Sequence, residues 1–492
     1  MNKLKVKSKH LVLGLLMVVF GSYSAMANNI QVSNVSLVGQ NTVDNYSMIK
    51  FDLSWDNSWR ISTSPTNHDA AWIFIKYRRK IEKVWHHAKL HWVSGAGAAD
   101  GHTEPSNSYI RSTDDNGGTS NGIMVRRKYT GQGTINFNNI KLRWDYGVDG
   151  LLDDDSVEVS VFAIEMVYVN FGSFYVGNNN NSGSFFKYPN FPSVYHITSE
   201  SSKSLGNVAG NLDINSLSFP NGTTLPVAFP KGYNSFYCMK YEITQGQYVD
   251  FLNYLTVGQS DTRYMDKFGS DGNMIKLDNL TDTYSSLSPF VACNWTSRSD
   301  IFAYLDWAAL RPMSELEYEK ACRGPKPTLP NEFIWGTNFI TSSNYTISSS
   351  NSNAAAISSG FSTTKGNAAW YATVNGPVRC GIFAANVNNI GRQSSGATYY
   401  GIMEMGGNVS EIVVNIAAAN GRSFTRVNGD GILSVYGEAN TTSWPVTGDG
   451  VGYRGGSWDD FYHFIQTSQR IEADLSPMYL IRKNDFGGRG VR

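Results

Sequence analysis

Cysteine is scarce in this chain: four among 492 residues, Cys238, Cys293, Cys322 and Cys380. They form no C-x-x-C pair, so the usual metal-ribbon and redox spacings do not occur. An even count leaves disulfides open. A chain long enough for two or three domains and a large core needs no staples, so buried free thiols are an equal reading. Net charge is lacking as well. Lys+Arg and Asp+Glu are both 41, a balance that argues against a general electrostatic grip on nucleic acid or anionic membrane. After Phe20 no stretch is long and apolar enough for a transmembrane helix, so no transmembrane anchor is expected.

The N-terminus has a basic start (Lys3, Lys5, Lys7, Lys9), an apolar run from Leu11 to Phe20, and a small-x-small site at Ala25-Met26-Ala27. This is the pattern of a cleavable signal peptide over 1–27. The first cysteine after the run is Cys238, far downstream, so a lipid anchor is not expected. The protein reads as exported, to the periplasm or the outside. Abundant aromatics (27 Tyr, 25 Phe, 12 Trp) and 47 Gly suit an exported β-rich or loop-rich chain.

Residues 28–160 read as an all-β, sandwich-like domain. Ile49, Phe51, Leu53 and Trp55 alternate onto one face, and Ala71–Tyr77 is apolar on both faces. Strands are expected over 84–93, 123–127, 135–144 and 157–163, between Gly/Asn/Asp-rich turns. His68, His86, His87, His91 and His102 sit here. In one strand His87 and His91 would share a face, with His86 opposite; the surrounding Trp85, Leu90 and Trp92 favour sheet packing over metal binding. Asp153-Asp154-Asp155 reads as a solvated turn. A hairpin-like opening over 165–177 follows, so the boundary falls near 160.

Three short helices come next. Thr244 and Gln247 form a capping box, a second helix starts at Thr296 with Ile301, Leu305 and Ala308 inward, and Ser314 and Glu317 form another box. The last of these ends at Gly324-Pro325. Glu315 and Glu317 sit in its first turn, where the helix dipole favours negative charge. They read as stabilising, not as acid–base groups.

The stretch from Tyr399 to Glu411 sets Glu404 and Glu411 on either side of Gly406-Gly407-Asn408. Glycine lets the backbone turn its carbonyls toward a common point, and converging carboxylate and carbonyl oxygens suit a hard cation such as Ca²⁺. The plain alternative is a Gly-rich turn between surface strands.

Motifs follow one another in order: Phe236 to Thr244, Leu310 to Ala321, Gly401 to Glu411, Tyr453-Arg454-Gly455-Gly456-Ser457-Trp458, and Gly487 to Arg492. Together, from about 165 to the end, they resemble the formylglycine-generating enzyme (sulfatase-modifying factor) family. The resemblance implies an α+β, C-type-lectin-like fold with few regular elements over 161–492 and a structural Ca²⁺. It also implies the ion's ligands: Glu404, the carbonyls of Gly407 and Val409, and Glu411. Ser410-Glu411-Ile412 stands where the family commonly has Trp-Glu-Trp, which predicts weaker local packing. The family's oxidases hold copper on two cysteines shortly after the Arg-Gly-Gly-Ser motif. The corresponding segment here, Trp458 to Arg470, has none, and Cu(I) needs thiolates. Copper is therefore not expected, and formylglycine formation is disfavoured. Iron would want two histidines and a carboxylate, but this part holds only His196 and His463; His463 with Asp459 and Asp460 is a partial set at best. The reading is a non-catalytic binding or assembly module of the cell envelope, with a protein or glycan partner. One alternative is an oxidoreductase of the family acting on protein cysteine or by another metal-dependent oxidation. The other is a lectin-like glycan binder, which exposed aromatics beside a cation would favour.

Overall fold

The computed structural model describes residues 29–492 except 94–99, 114–117, 179–185, 188–193, 215–217, 351, 353–354, 447–448 and 475–480. The leader expected over 1–27 lies outside the described residues. The architecture is mostly strands with few helices.

Period-two patterning becomes an antiparallel sheet. β1 (Gln31–Asn41) pairs with β2 (Tyr46–Arg60), which pairs with Gly131–Trp144, and the short Leu90–His91 and Thr119–Ser120 complete five strands. Ile49, Phe51, Leu53 and Trp55 are all buried on the inward face of β2. Opposite them stands β3 (Asp69–Arg79), the middle of a second antiparallel sheet. β3 explains its own doubly apolar sequence. Ala71, Ile73, Ile75 and Tyr77 join the core shared with β2, while Trp72 and Phe74 on the other side join the core of the helical part. A strand covered on both faces has no polar face to show.

The boundary expected near 160 lies inside the strand Val157–Val169. Its whole length from Val157 to Val167 pairs with β3, and Met166–Val169 also pairs with Phe236–Met239. One sheet therefore runs from the N-terminal strands into the C-terminal part. The hairpin expected over 165–177 does not form: Phe174–Gly177 pairs with Val194–Ile197 instead. The expected strand over 84–93 is broken too. His86–His87 pairs with β3, whereas Leu90–His91 pairs in the other sheet. The chain changes sheets at Ala88-Lys89, so His87 and His91 do not share a face. Their partners are internal: His87 Nε2 lies 2.6 Å from the Asn121 carbonyl and His91 Nδ1 2.7 Å from Asp145.

The helices capped by Thr244 and Ser314 start where their caps predict. α1 (Gln245–Asn253) has a complete Thr244/Gln247 capping box. α2 (Val257–Arg263) uses Thr256 and Gln259 in the same way and was not foreseen. α3 (Arg298–Trp307) is capped by Ser297, one residue later than expected, because the Thr296 hydroxyl donates to the Phe486 carbonyl at 2.8 Å instead. α4 (Glu315–Arg323) is capped by Ser314 and ends at Gly324, whose φ of +65° and close approach to the Tyr399 ring leave no room for a Cβ. Thr244→Ala removes an N-cap and is expected to cost about 1 kcal/mol, measured as a shift in urea midpoint at constant m-value. No change would mean that tertiary packing alone holds α1. Among the described residues no helix is long and apolar enough to cross a membrane.

Candidate functional site

Ser410–Val414 is a wholly buried strand, flanked by Val451–Arg454, Phe486–Gly487 and Met313–Ser314. Ile412 is fully buried in the main core. The turn before this strand is buried as well, not a surface connection. Gly407 and Asn408 take φ of +82° and +69°, and a Cβ on Gly407 would collide with the Ala369 carbonyl. The Asn408 amide is spent on holding this turn: its Oδ1 accepts from Val378 N–H, and its Nδ2 donates to Glu242.

Around the turn lie three carboxylates, Glu242, Glu404 and Glu411, all buried. Glu404 accepts from the Gly381 amide with both oxygens at 3.0 Å. Glu242 accepts from the Val409 amide at 3.0 Å. Glu411 Oε1 accepts from Arg489 Nε at 2.7 Å, and its Oε2 has no hydrogen-bond partner. Arg489 also donates to the carbonyls of Met239, Lys240, Met403 and Glu404 at 2.8–3.2 Å. A single guanidinium thus gathers five oxygens. Burial drives the carboxyls upward, Glu404 and Glu411 to about 7 and Glu242 well above the usual range, with Arg489 opposing in each case. Three buried acids against Arg489, with buried Arg379 also acting on Glu404, leave an excess of negative potential that protons or a cation must balance.

Of the expected ligands, the carboxylates of Glu404 and Glu411 have different partners and do not share one. Among the described residues no three His, Cys, Asp or Glu side chains converge as a metal site. An ion at this turn would therefore rely on the carbonyls of Gly407 and Val409 and on the orphaned Glu411 oxygen. The donor chemistry fits Ca²⁺: all oxygen, buried, and short of positive charge. Glu242 and Arg489 escaped the sequence reading as parts of this centre. Glu242 lies inside the quoted Phe236 to Thr244 motif, and Arg489 inside the last one, but more than two hundred residues of chain separate them.

The segment after Arg454-Gly455-Gly456-Ser457 carries a different surface. Ser457 hydroxyl and amide donate to Asp460 at 2.7 and 2.8 Å, closing a tight turn. Phe461 and Tyr462 stand out from it, 55% and 49% exposed, beside Tyr371 at 58%. Tyr371 and Phe461 rings are 5.1 Å apart, Tyr462 leans edge-on against buried Trp370 at 5.8 Å, and His463 stacks parallel to Phe461 at 6.1 Å. His463 thus belongs to a ring cluster and forms no metal set with Asp459 and Asp460.

All four cysteines are free and buried. Burial raises Cys238 to about 12 and lifts Cys293, Cys322 and Cys380 above the usual thiol value. Cys380 lies against Glu242, its Sγ 3.7 Å from a carboxylate oxygen, which holds it further from thiolate. Soft-metal ligation and nucleophilic attack both need the thiolate.

A helix-poor β-rich domain, closed by a buried arginine–carboxylate centre and missing thiols at its exposed turn, is the class these features define. The family model of the sulfatase-modifying factor enzyme 1-like domain matches residues 160–489, and the chain belongs to that family. No curated protein matches the chain.

Proposed function

We propose that this is an exported, non-catalytic binding module of the cell envelope. In this reading a sandwich-like N-terminal domain and a C-type-lectin-like domain present the aromatic turn at 461–463 to a glycan. The observation that carries it is the exposed Tyr371, Phe461 and Tyr462 group at the segment where the family's oxidases have thiols. An aromatic patch rimmed by polar residues marks a contact surface, and ring faces suit the C–H face of a sugar. Asp459 beside it supplies an exposed carboxylate for hydroxyls. A structural Ca²⁺ on Glu411 and the carbonyls of Gly407 and Val409, with Glu404 held by the Gly381 amide beside it, would offset the buried negative charge and stiffen the turn behind this surface.

The test offers the purified mature chain two substrates. One is a panel of neutral and acidic envelope oligosaccharides, followed by tryptophan and tyrosine fluorescence. The other is a cysteine-containing sulfatase peptide with Cu(I), Ca²⁺ and oxygen, followed by mass spectrometry. Saccharide binding that Phe461→Ala weakens at least tenfold, with the peptide cysteine unchanged, supports the module. Conversion of that cysteine to the aldehyde overturns it in favour of the oxidase reading.

A further inference from the structure

A cavity of about 1180 Å³ lies between the N-terminal strands and the C-terminal part, and its described lining shares no residue with the buried acids, Arg489 or the aromatic turn. Its described lining includes Arg60, Lys89, Arg111, Arg126, Arg426 and Arg492, and no described aspartate or glutamate. For a chain with equal numbers of acids and bases this is a strong local excess of one sign. Arg426 is paired with Glu200 at 2.6 Å. Arg60, Arg111 and Arg126 enter no ion pair among the described residues.

Two of these cations are held together. Arg60 Nη1 and Arg126 Nη1 donate to the same carbonyl, that of Arg127, at 3.1 and 2.9 Å. Arg126 is fixed further over the Tyr109 ring at 4.2 Å. Like charges brought to one acceptor repel, and the repulsion is felt: burial and then Arg60 lower Arg126, while burial and then both arginines push His68 down to about 3. A fold keeps such a pair only where the cost is offset, and an anion that bridges both guanidinia offsets it. The rest of the lining is mainly hydroxyl and amide side chains, with few aliphatics. That surface suits a ligand rich in hydroxyls, whereas a peptide would ask for apolar recesses.

We propose that this cleft binds an acidic oligosaccharide, one carrying uronate carboxylates or sulfate esters, with Arg60 and Arg126 as its central anion clamp. The volume accommodates several sugar units. The site is built jointly by both parts of the chain, since Arg60, Arg111 and Arg126 come from the N-terminal strands and Asn234, Tyr237 and Arg426 from the C-terminal part. This proposal does not depend on the aromatic turn.

Calorimetry on the full mature chain tests it, with an oligogalacturonate, a chondroitin sulfate octasaccharide, a neutral cello-oligosaccharide and hexaglutamate as probes, each at 50 and 200 mM NaCl. The expected result is binding of one or both acidic saccharides, weaker at the higher salt, and a loss of at least tenfold in the double variant Arg60→Gln, Arg126→Gln. Which acidic saccharide binds identifies the anion. Because that substitution relieves repulsion, its melting temperature should not fall; exposed Arg111→Gln serves as a second variant, with a smaller loss. Equal binding of the neutral saccharide, undiminished binding in both variants, or no acidic saccharide bound would overturn the proposal. Tighter binding of hexaglutamate would overturn the ligand class in favour of an acidic peptide.

Discussion

Glu315→Ala is expected to destabilise the protein by about 3–5 kcal/mol, the range for removing one partner of a buried ion pair. Glu315 is fully buried at the first position of α4 and accepts from two arginines, Arg454 Nη1 at 3.3 Å and Arg470 Nε and Nη2 at 3.0 and 3.1 Å. It also accepts the Ile416 amide at 2.8 Å. Truncation strips the ion-pair partner common to both guanidinia, although Glu319 and Asp474 still reach one each. The sequence reading made Glu315 and Glu317 stabilising through the helix dipole. The structure adds ion-pair partners to that dipole: Glu317 is both the capping-box residue and the bidentate partner of Arg311 at 2.6 and 2.8 Å. A dipole effect alone is worth under about 1 kcal/mol on an exposed helix, so the size of the loss separates the two accounts. Equilibrium urea denaturation of Glu315→Ala decides it; a loss below 1 kcal/mol would sink the network account. Arg454 also donates to the Thr467 carbonyl at 2.9 Å. The network therefore anchors both ends of the segment carrying Phe461 and Tyr462, and the variant should weaken saccharide binding along with stability.

Arg489→Met is the second large effect, again about 3–5 kcal/mol at pH 8 for leaving buried charge uncompensated. The substitution keeps much of the side-chain bulk but abandons five acceptors and leaves Glu242 and Glu411 without the arginine that opposes their rise, while Glu404 keeps only Arg379. The pH dependence has a definite sign. Burial raises Glu404 and Glu411 to about 7 in the folded chain, above the ordinary glutamate value of 4.5. Between those values the folded state holds more protons than the unfolded one, so this pair lowers stability as pH rises. Arg489 opposes that rise. Without it the penalty should be larger at pH 8 than at pH 5.5, where protons neutralise the acids. A calcium ion bound at the turn would shrink the deficit at pH 8 in the same manner. Denaturation curves at the two pH values, with and without millimolar Ca²⁺, measure both effects. A deficit independent of pH would mean that Arg489 acts only through its carbonyl contacts.

Much was legible from local pattern. The alternation of Ile49, Phe51, Leu53 and Trp55 specifies a half-buried strand without reference to anything distant, and Thr244, Ser314 and Gly324 mark helix ends through bonds that span at most four residues. The ordered motifs were enough to indicate the family later matched over 160–489. Breaks in pattern were less visible. The crossing at Ala88-Lys89 depends on which sheet has a free edge, and the chain around it reads as one strand.

The sequence by itself determined the alternating strand through Ile49, Phe51, Leu53 and Trp55, the caps of α1 and α4, the absence of thiols after Ser457 and the acidic pair flanking Gly406-Gly407-Asn408, because each is set by short-range sterics, hydrogen bonding or residue identity. Only the tertiary structure decided what those acids face. Arg489, Glu242 and the Arg60–Arg126 pair meet their partners across separations that no local period encodes. Charge in a buried site is settled by which groups the folded chain brings within a few ångströms, and that is a property of the packed chain as a whole.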